Sequence, residues 1–149
     1  MYLLDTNHRS LLMEGDAGLQ EKMRQNAGAL VATCIFVEAE LLYMAYNSQQ
    51  REANLVRVQT FLNAIRVYGV DQQTAHYYAR LKADFMAHYG PKEKSKRRRT
   101  KIEQLGVGEN DLWIAAIALR HELTVVSIDS DFPRLQTVTP FPLENWSQG

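Results

Sequence analysis

Carboxylates in apolar company are the residues of this sequence best suited to chemistry. Asp5 follows the short run Tyr2-Leu3-Leu4, Asp111 opens a stretch that is apolar from Leu112 to Leu119, and Asp129 comes just after Leu123-Thr124-Val125-Val126. Between Phe36 and Ala45 only Glu38 and Glu40 interrupt Phe, Val, Ala, Leu, Tyr and Met. Burying an unpaired charge is expensive, so such acids need a partner or must hold a proton. Periodicity alone does not choose between Glu38 and Glu40. The ordinary alternative is capping, because Asp5, Asn110 and Asp111 are residue types that accept N–H groups at helix starts.

Asp5, Glu40, Asp111 and Asp129 gain a common purpose if the fold brings them together. Carboxylates in one site repel each other, and a divalent cation removes that penalty. Four histidines and the single Cys34 give no zinc spacing. Oxygen ligands alone suit Mg²⁺ or Mn²⁺, with a retained water available as a nucleophile toward a phosphate.

The elements around these acids read as alternating strands and helices. Strands are expected at Tyr2–Leu4, Ala29–Thr33, Arg66–Val70 and Leu123–Ser127, with a further edge strand at Gln136–Thr139. Helices are expected over Arg9–Glu14, Ala17–Asn26, Ile35–Tyr46, residues 52–66, from Asp71 as cap to Tyr89, and from Gly108 to Arg120, with Gly90-Pro91 as a stop. Short apolar strands alternating with helices predict an α/β fold with a parallel sheet. Sites in open parallel sheets form outside the carboxyl ends of the strands, where Asp5 and Asp129 would stand.

At 149 residues, 46% hydrophobic and 23% charged, the chain is expected to be one soluble globular domain, residues 1–149. No apolar run approaches the ~20 residues of a membrane span. One cysteine and no secretory leader pattern point to the cytoplasm. The zero net charge hides an asymmetry. Residues 92–101 hold seven of the 17 basic residues and one acid, Glu93, leaving ten basic against sixteen acidic residues elsewhere. The run reads as a charged loop, either merely solvated or, through Lys96, Arg97, Arg98 and Arg99, a grip on a polyanion.

The segments Leu4-Asp5-Thr6-Asn7, Glu40-Leu41, Asn110-Asp111-Leu112-Trp113-Ile114-Ala115-Ala116, Asp129-Ser130-Asp131-Phe132 and Glu144-Asn145-Trp146, in this order, resemble the PIN-domain ribonucleases. They are most similar to the VapC-type toxins of toxin–antitoxin pairs. The resemblance implies a three-layer α/β/α sandwich around a short parallel sheet and a Mg²⁺- or Mn²⁺-dependent endoribonuclease acting on tRNA or mRNA. It also implies a cognate antitoxin and a homodimer. By position, Asp5, Glu40 and Asp111 match the family's metal-binding acids, and Glu40 is preferred to Glu38 because Leu41 follows it. Asp129 matches the fourth acid, with Asp131 its nearest competitor, and Asn7 and Asn110 match polar neighbours. Val37 stands where the family often has Ser or Thr, Ser127 where Thr is usual, and the interval from Glu40 to Asp111 is long.

Two other readings compete with the nuclease. A non-catalytic PIN-like module that binds RNA or protein would suit the basic run equally well. A phosphotransfer or phosphatase domain would want a second acid after the first strand, which Asp5-Thr6-Asn7 lacks. Trp113 and Tyr43 are expected in the core or an interface.

Overall fold

In the computed structural model, which describes residues 1–5, 17–26 and 30–146, parallel strands form one sheet. They are β1 (Tyr2–Leu4), β2 (Val31–Cys34), β3 (Arg66–Tyr68), β4 (Thr124–Val126) and β5 (Leu143–Glu144), in the spatial order β3-β2-β1-β4-β5. β1 is central, with Tyr2 opposite both Val31 and Thr124, and Leu4 opposite Val126. All strands therefore end on one edge, and the residues after β1 and β4 meet there.

The helices are α1 (Ala17–Gln25), α2 (Ile35–Tyr46), α3 (Arg51–Asn63), α4 (Gln72–Tyr89), α5 (Lys94–Arg99), α6 (Glu109–His121) and α7 (Asp131–Gln136), with a 3₁₀ turn at Ile102–Leu105. Neighbouring residues of β1 serve opposite faces, as strand geometry requires. Leu3 joins the larger core with Leu41, Leu81, Phe85, Leu112 and Ile117, while Leu4 joins Val126 and Trp146 on the other face. Both leucines are fully buried, which makes a three-layer α/β/α sandwich.

α6 is the innermost helix. Leu112 and every residue from Ile114 to Ala118 are buried, and α4 packs along it more extensively than any other element. α4 starts with the capping box expected of Asp71, whose Oδ1 accepts the Thr74 N–H at 2.8 Å. It ends at Gly90, where an added Cβ would stand 2.4 Å from the Met86 carbonyl oxygen, so the chain can leave the helix this way only with glycine.

Three expectations are corrected. Residues 94–99 of the basic run form a short helix rather than a loop, since Lys and Arg are good helix formers whose charges can point outward. The stretch Gln136–Thr139 is not a strand. It continues α7, with the Thr137 and Val138 N–H groups bonding back to Arg134 and Leu135, and the edge strand comes later at Leu143–Glu144. Neither Asn110 nor Asp111 caps α6, whose cap residue is Gly108. Strand ends shift by one to two residues at β2 and β3. The helix expected at Arg9–Glu14, and Asn7, lie outside the described residues. Among the described residues, no helix is long and apolar enough to cross a membrane.

Candidate active site

Asp5 is 1% exposed at the end of the central strand, its backbone N–H bonded to the Val126 carbonyl. Its Oδ2 accepts a hydrogen bond from the Ser127 hydroxyl at 2.7 Å. The same Ser127 oxygen accepts the Asp129 N–H at 3.0 Å, and Asp129 Oδ1 accepts the Asp131 N–H at 2.9 Å. Asp131 Oδ2 in turn accepts the Gly108 N–H at 3.0 Å. One chain of bonds thus runs from β1, through the loop after β4, to the start of α6. From the other side, Asn110 donates to Glu40 Oε1 at 2.6 Å and joins α2 to α6.

Asp5, Glu40, Asp111 and Asp129 line one cleft of about 420 Å³, with Gly108, Glu109 and Asn110 completing its wall. The fold brings together the four acids singled out in the sequence. Asp111, in the first turn of α6, is the most perturbed. Burial, then the hydrogen bond with Asp131, then the negative charges of Asp5, Asp129 and Asp131, push its carboxyl up from 3.8 to about 9. The amino terminus of α6 also faces this charge, and its dipole favours anions.

Carboxylate oxygens of Asp111, Asp129 and Asp131 lie within 4.8 Å of one another. Asp5 and Glu40 line the cleft but fall outside that tighter group. Acidic oxygens this close, with no sulfur or imidazole beside them among the described residues, fit a hard divalent cation of the Mg²⁺ or Mn²⁺ kind. Both Asp129 and Asp131 are in reach, and each already accepts a backbone N–H through one oxygen.

Lys96, Arg97, Arg98 and Arg99 are not among the residues lining the cleft. Lys96 pairs with Glu93 at 3.4 Å, Arg97 donates to the Lys92 carbonyl at 3.1 Å, and Arg99 donates to the Ser95 carbonyl at 3.5 Å. Their bonds return to their own segment.

Ser127, which the sequence marks only as standing where Thr is usual, joins Asp5 to Asp129. The spacing Ser127-x-Asp129-x-Asp131 was a usable signal, because Ser and Asp side chains commonly accept the N–H two residues on. Lys82 and Glu109, which pair at 3.2 Å, were missed, and no periodicity in the sequence connects them. Trp113 is half-buried and stacks on Phe36 and Tyr78, as a core or interface residue would, whereas Tyr43 is 69% exposed and is not in the core.

An acid-lined cleft at the carboxyl edge of a short parallel sheet defines a class of protein. The model for the PIN domain matches residues 2–138, and the chain belongs to that family. Within it, the likeness is to VapC ribonucleases in particular. The chain is 30% identical over 146 residues to ribonuclease VapC2 of Haemophilus influenzae, covering 97% of each. It is 28% identical over 121 residues to ribonuclease VapC2 of Rickettsia felis, covering 79% of this chain and 75% of that protein. Among solved structures, VapBC2 from Rickettsia felis bound to a promoter DNA fragment superposes with a TM-score of 0.75 at 26% identity, over 98% of both chains. DNA-bound VapBC from Salmonella typhimurium gives 0.77 at 23% identity over 97% of both, which is a likeness of fold.

Proposed function

We propose that this chain is a Mg²⁺- or Mn²⁺-dependent endoribonuclease and the toxin of a toxin–antitoxin pair, working in the cytoplasm as one domain. The observation that carries the reading is the convergence of Asp5, Glu40, Asp111 and Asp129 on one cleft, with Asp111 forced toward its protonated form. The named relatives are ribonucleases, and their solved counterparts are VapBC complexes.

Asp5, Glu40, Asp111 and Asp129 would hold the cation, with Asp131 beside Asp129 as a further donor. When bound, a divalent ion supplies an activated water and neutralises charge on the attacked phosphate. The chain's own residues do the rest. Ser127 fixes the Asp5 and Asp129 sides of the cleft against each other, and Asn110 orients the Glu40 carboxylate. Lys96 to Arg99 hold the RNA backbone at a distance through their charge.

An antitoxin partner is supported by the exposed apolar side chains of α2. Ile35 is 43% and Tyr43 69% exposed, about two turns apart along one side of the helix that carries Glu40. A segment lying along that face would approach the cleft. The same surface, or its neighbour on α3 where Val56 is 67% exposed, would serve a homodimer.

The test is cleavage of a pooled tRNA and mRNA preparation with Mn²⁺, with EDTA, and by Asp5→Asn. Discrete cuts that disappear under EDTA and on substitution support the reading. RNA binding without cutting, indifferent to metal, would replace it with a non-catalytic RNA-binding module.

A further inference from the structure

Glu109 is part of the cleft wall, yet its carboxylate is turned to a cation rather than to the other acids. Lys82 Nζ on α4 reaches its two oxygens at 3.2 and 3.4 Å. The ammonium also donates to the Tyr78 hydroxyl at 3.1 Å and stands 5.5 Å from the centre of that ring. Tyr78 is itself immobilised. Its ring stacks on Trp113 at 3.8 Å and 7°, and Trp113 stacks on Phe36 at 5.4 Å and 11°, a column that joins α4, α6 and α2 beside the cleft.

This arrangement exceeds what a tether between two helices requires. The pair leaves both side chains 35% exposed, and ion pairs so open to water contribute little to stability. The ammonium's three donors go to the two Glu109 oxygens and the Tyr78 hydroxyl, and the longest of these bonds, 3.4 Å to Glu109, is the one a phosphate oxygen from solution would replace. The aromatic column removes the freedom a lysine normally loses on binding, so the charge is set in advance. Five of the described residues lining the cleft are acids, which repel a polyanion, and through Glu109 the Lys82 ammonium is held at their edge.

Resting on the nuclease reading above, we propose that Lys82 is a substrate-positioning residue that binds an RNA phosphate flanking the one to be cut. Glu109 and Tyr78 hold the ammonium in place, and the aromatic column sets Tyr78. The helix at 94–99, whose residues do not line the cleft, then supplies general attraction, and Lys82 supplies register.

The test uses full-length wild type, Lys82→Gln, Lys82→Arg and Glu109→Gln on a short single-stranded RNA spanning a mapped cut, with Mn²⁺. Lys82→Gln is expected to raise KM about tenfold, the order of a lost charged hydrogen bond, while kcat stays within about twofold. The slope of log affinity against log salt should fall by about 0.7, one phosphate on a single strand. Lys82→Arg and Glu109→Gln, which keep the cation, should keep the wild-type slope. If Lys82→Gln leaves KM and slope unchanged, or matches Glu109→Gln in both while only the melting temperature drops, the pair is a tether and the assignment fails. A wild-type chain that neither binds nor cuts RNA overturns the nuclease reading and this assignment with it.

Discussion

The acid cleft and the basic helix α5 are held by bonds of very different reach. In the cleft, Ser127 bonds to Asp5 across 122 positions of sequence, and Asn110 to Glu40 across 70. In and around α5, the most distant partner is Pro91, six positions from Arg97. Long-range bonds make a geometry that exists only in the folded chain and that a single substitution can misalign. Local bonds make a charged surface whose effect depends on how many cations it carries.

The largest effect should come from the centre of the cleft. Asp111→Asn is expected to reduce RNA cleavage by at least about 100-fold, the order seen when one group of a preorganised charged site is removed. The same variant should melt higher than wild type in EDTA at neutral pH, because Asn is neutral without the proton that Asp111 must take up on folding. Loss of activity together with a lower melting temperature would mean that Asp111 is a structural residue. Ser127→Ala comes next, with cleavage down by about 10- to 100-fold, the range for groups that orient metal ligands, and Ser127→Thr near wild type. If alanine were harmless there, the bond relay would have no part in function.

A smaller effect concerns pH without metal. The folded Asp111 carboxyl keeps its proton up to about 9, against 3.8 for an ordinary one, so between those values the folded state binds a proton that the unfolded chain has released. Stability contributed by this group is full below pH 3.8 and declines as pH rises toward 9. Melting curves of the EDTA-treated protein should show that decline, and saturating Mn²⁺ should flatten it by taking the proton's place. Asp71 acts in the opposite sense and lower down. Its bonds to Thr74 hold it to about 2, so its contribution is lost as pH falls from 3.8 toward 2. The smallest effect belongs to α5. Replacing Lys96, Arg97, Arg98 and Arg99 by Gln should weaken RNA binding at low salt and flatten its salt dependence, with kcat and melting temperature nearly unchanged. A fall in kcat would bring the helix into the cleft's machinery and erase the contrast between the two regions.

Much of this was readable in the sequence because the informative residues violate their surroundings. Acids at the ends of apolar strands, and a carboxylate in the apolar helix at Glu40, mark positions where packing alone would have chosen otherwise. Asp71 and Gly90 were legible for a different reason, since caps and stops are local chemistry. The sequence was silent where structure depends on who packs against whom. Thr137-Val138-Thr139 has strand-forming residues, but α7 precedes it and the helical carbonyls of Arg134 and Leu135 capture its N–H groups. The basic run looked too charged for order, although six residues with outward charges form a helix. Lys82 and Glu109 meet only because α4 lies along α6, and no pattern within either helix announces that contact.

Everything above depends on acids distant in sequence forming one divalent-metal site. Calorimetric titration of the EDTA-treated, dialysed protein with Mn²⁺ near pH 7, in two buffers of different ionisation enthalpy, tests it most directly. The wild type is expected to bind saturably with release of about one proton per ion, since the cation must displace the proton held at Asp111. Asp111→Asn should bind more weakly and release none. A wild-type chain that takes up no Mn²⁺ would mean that these acids form no metal site.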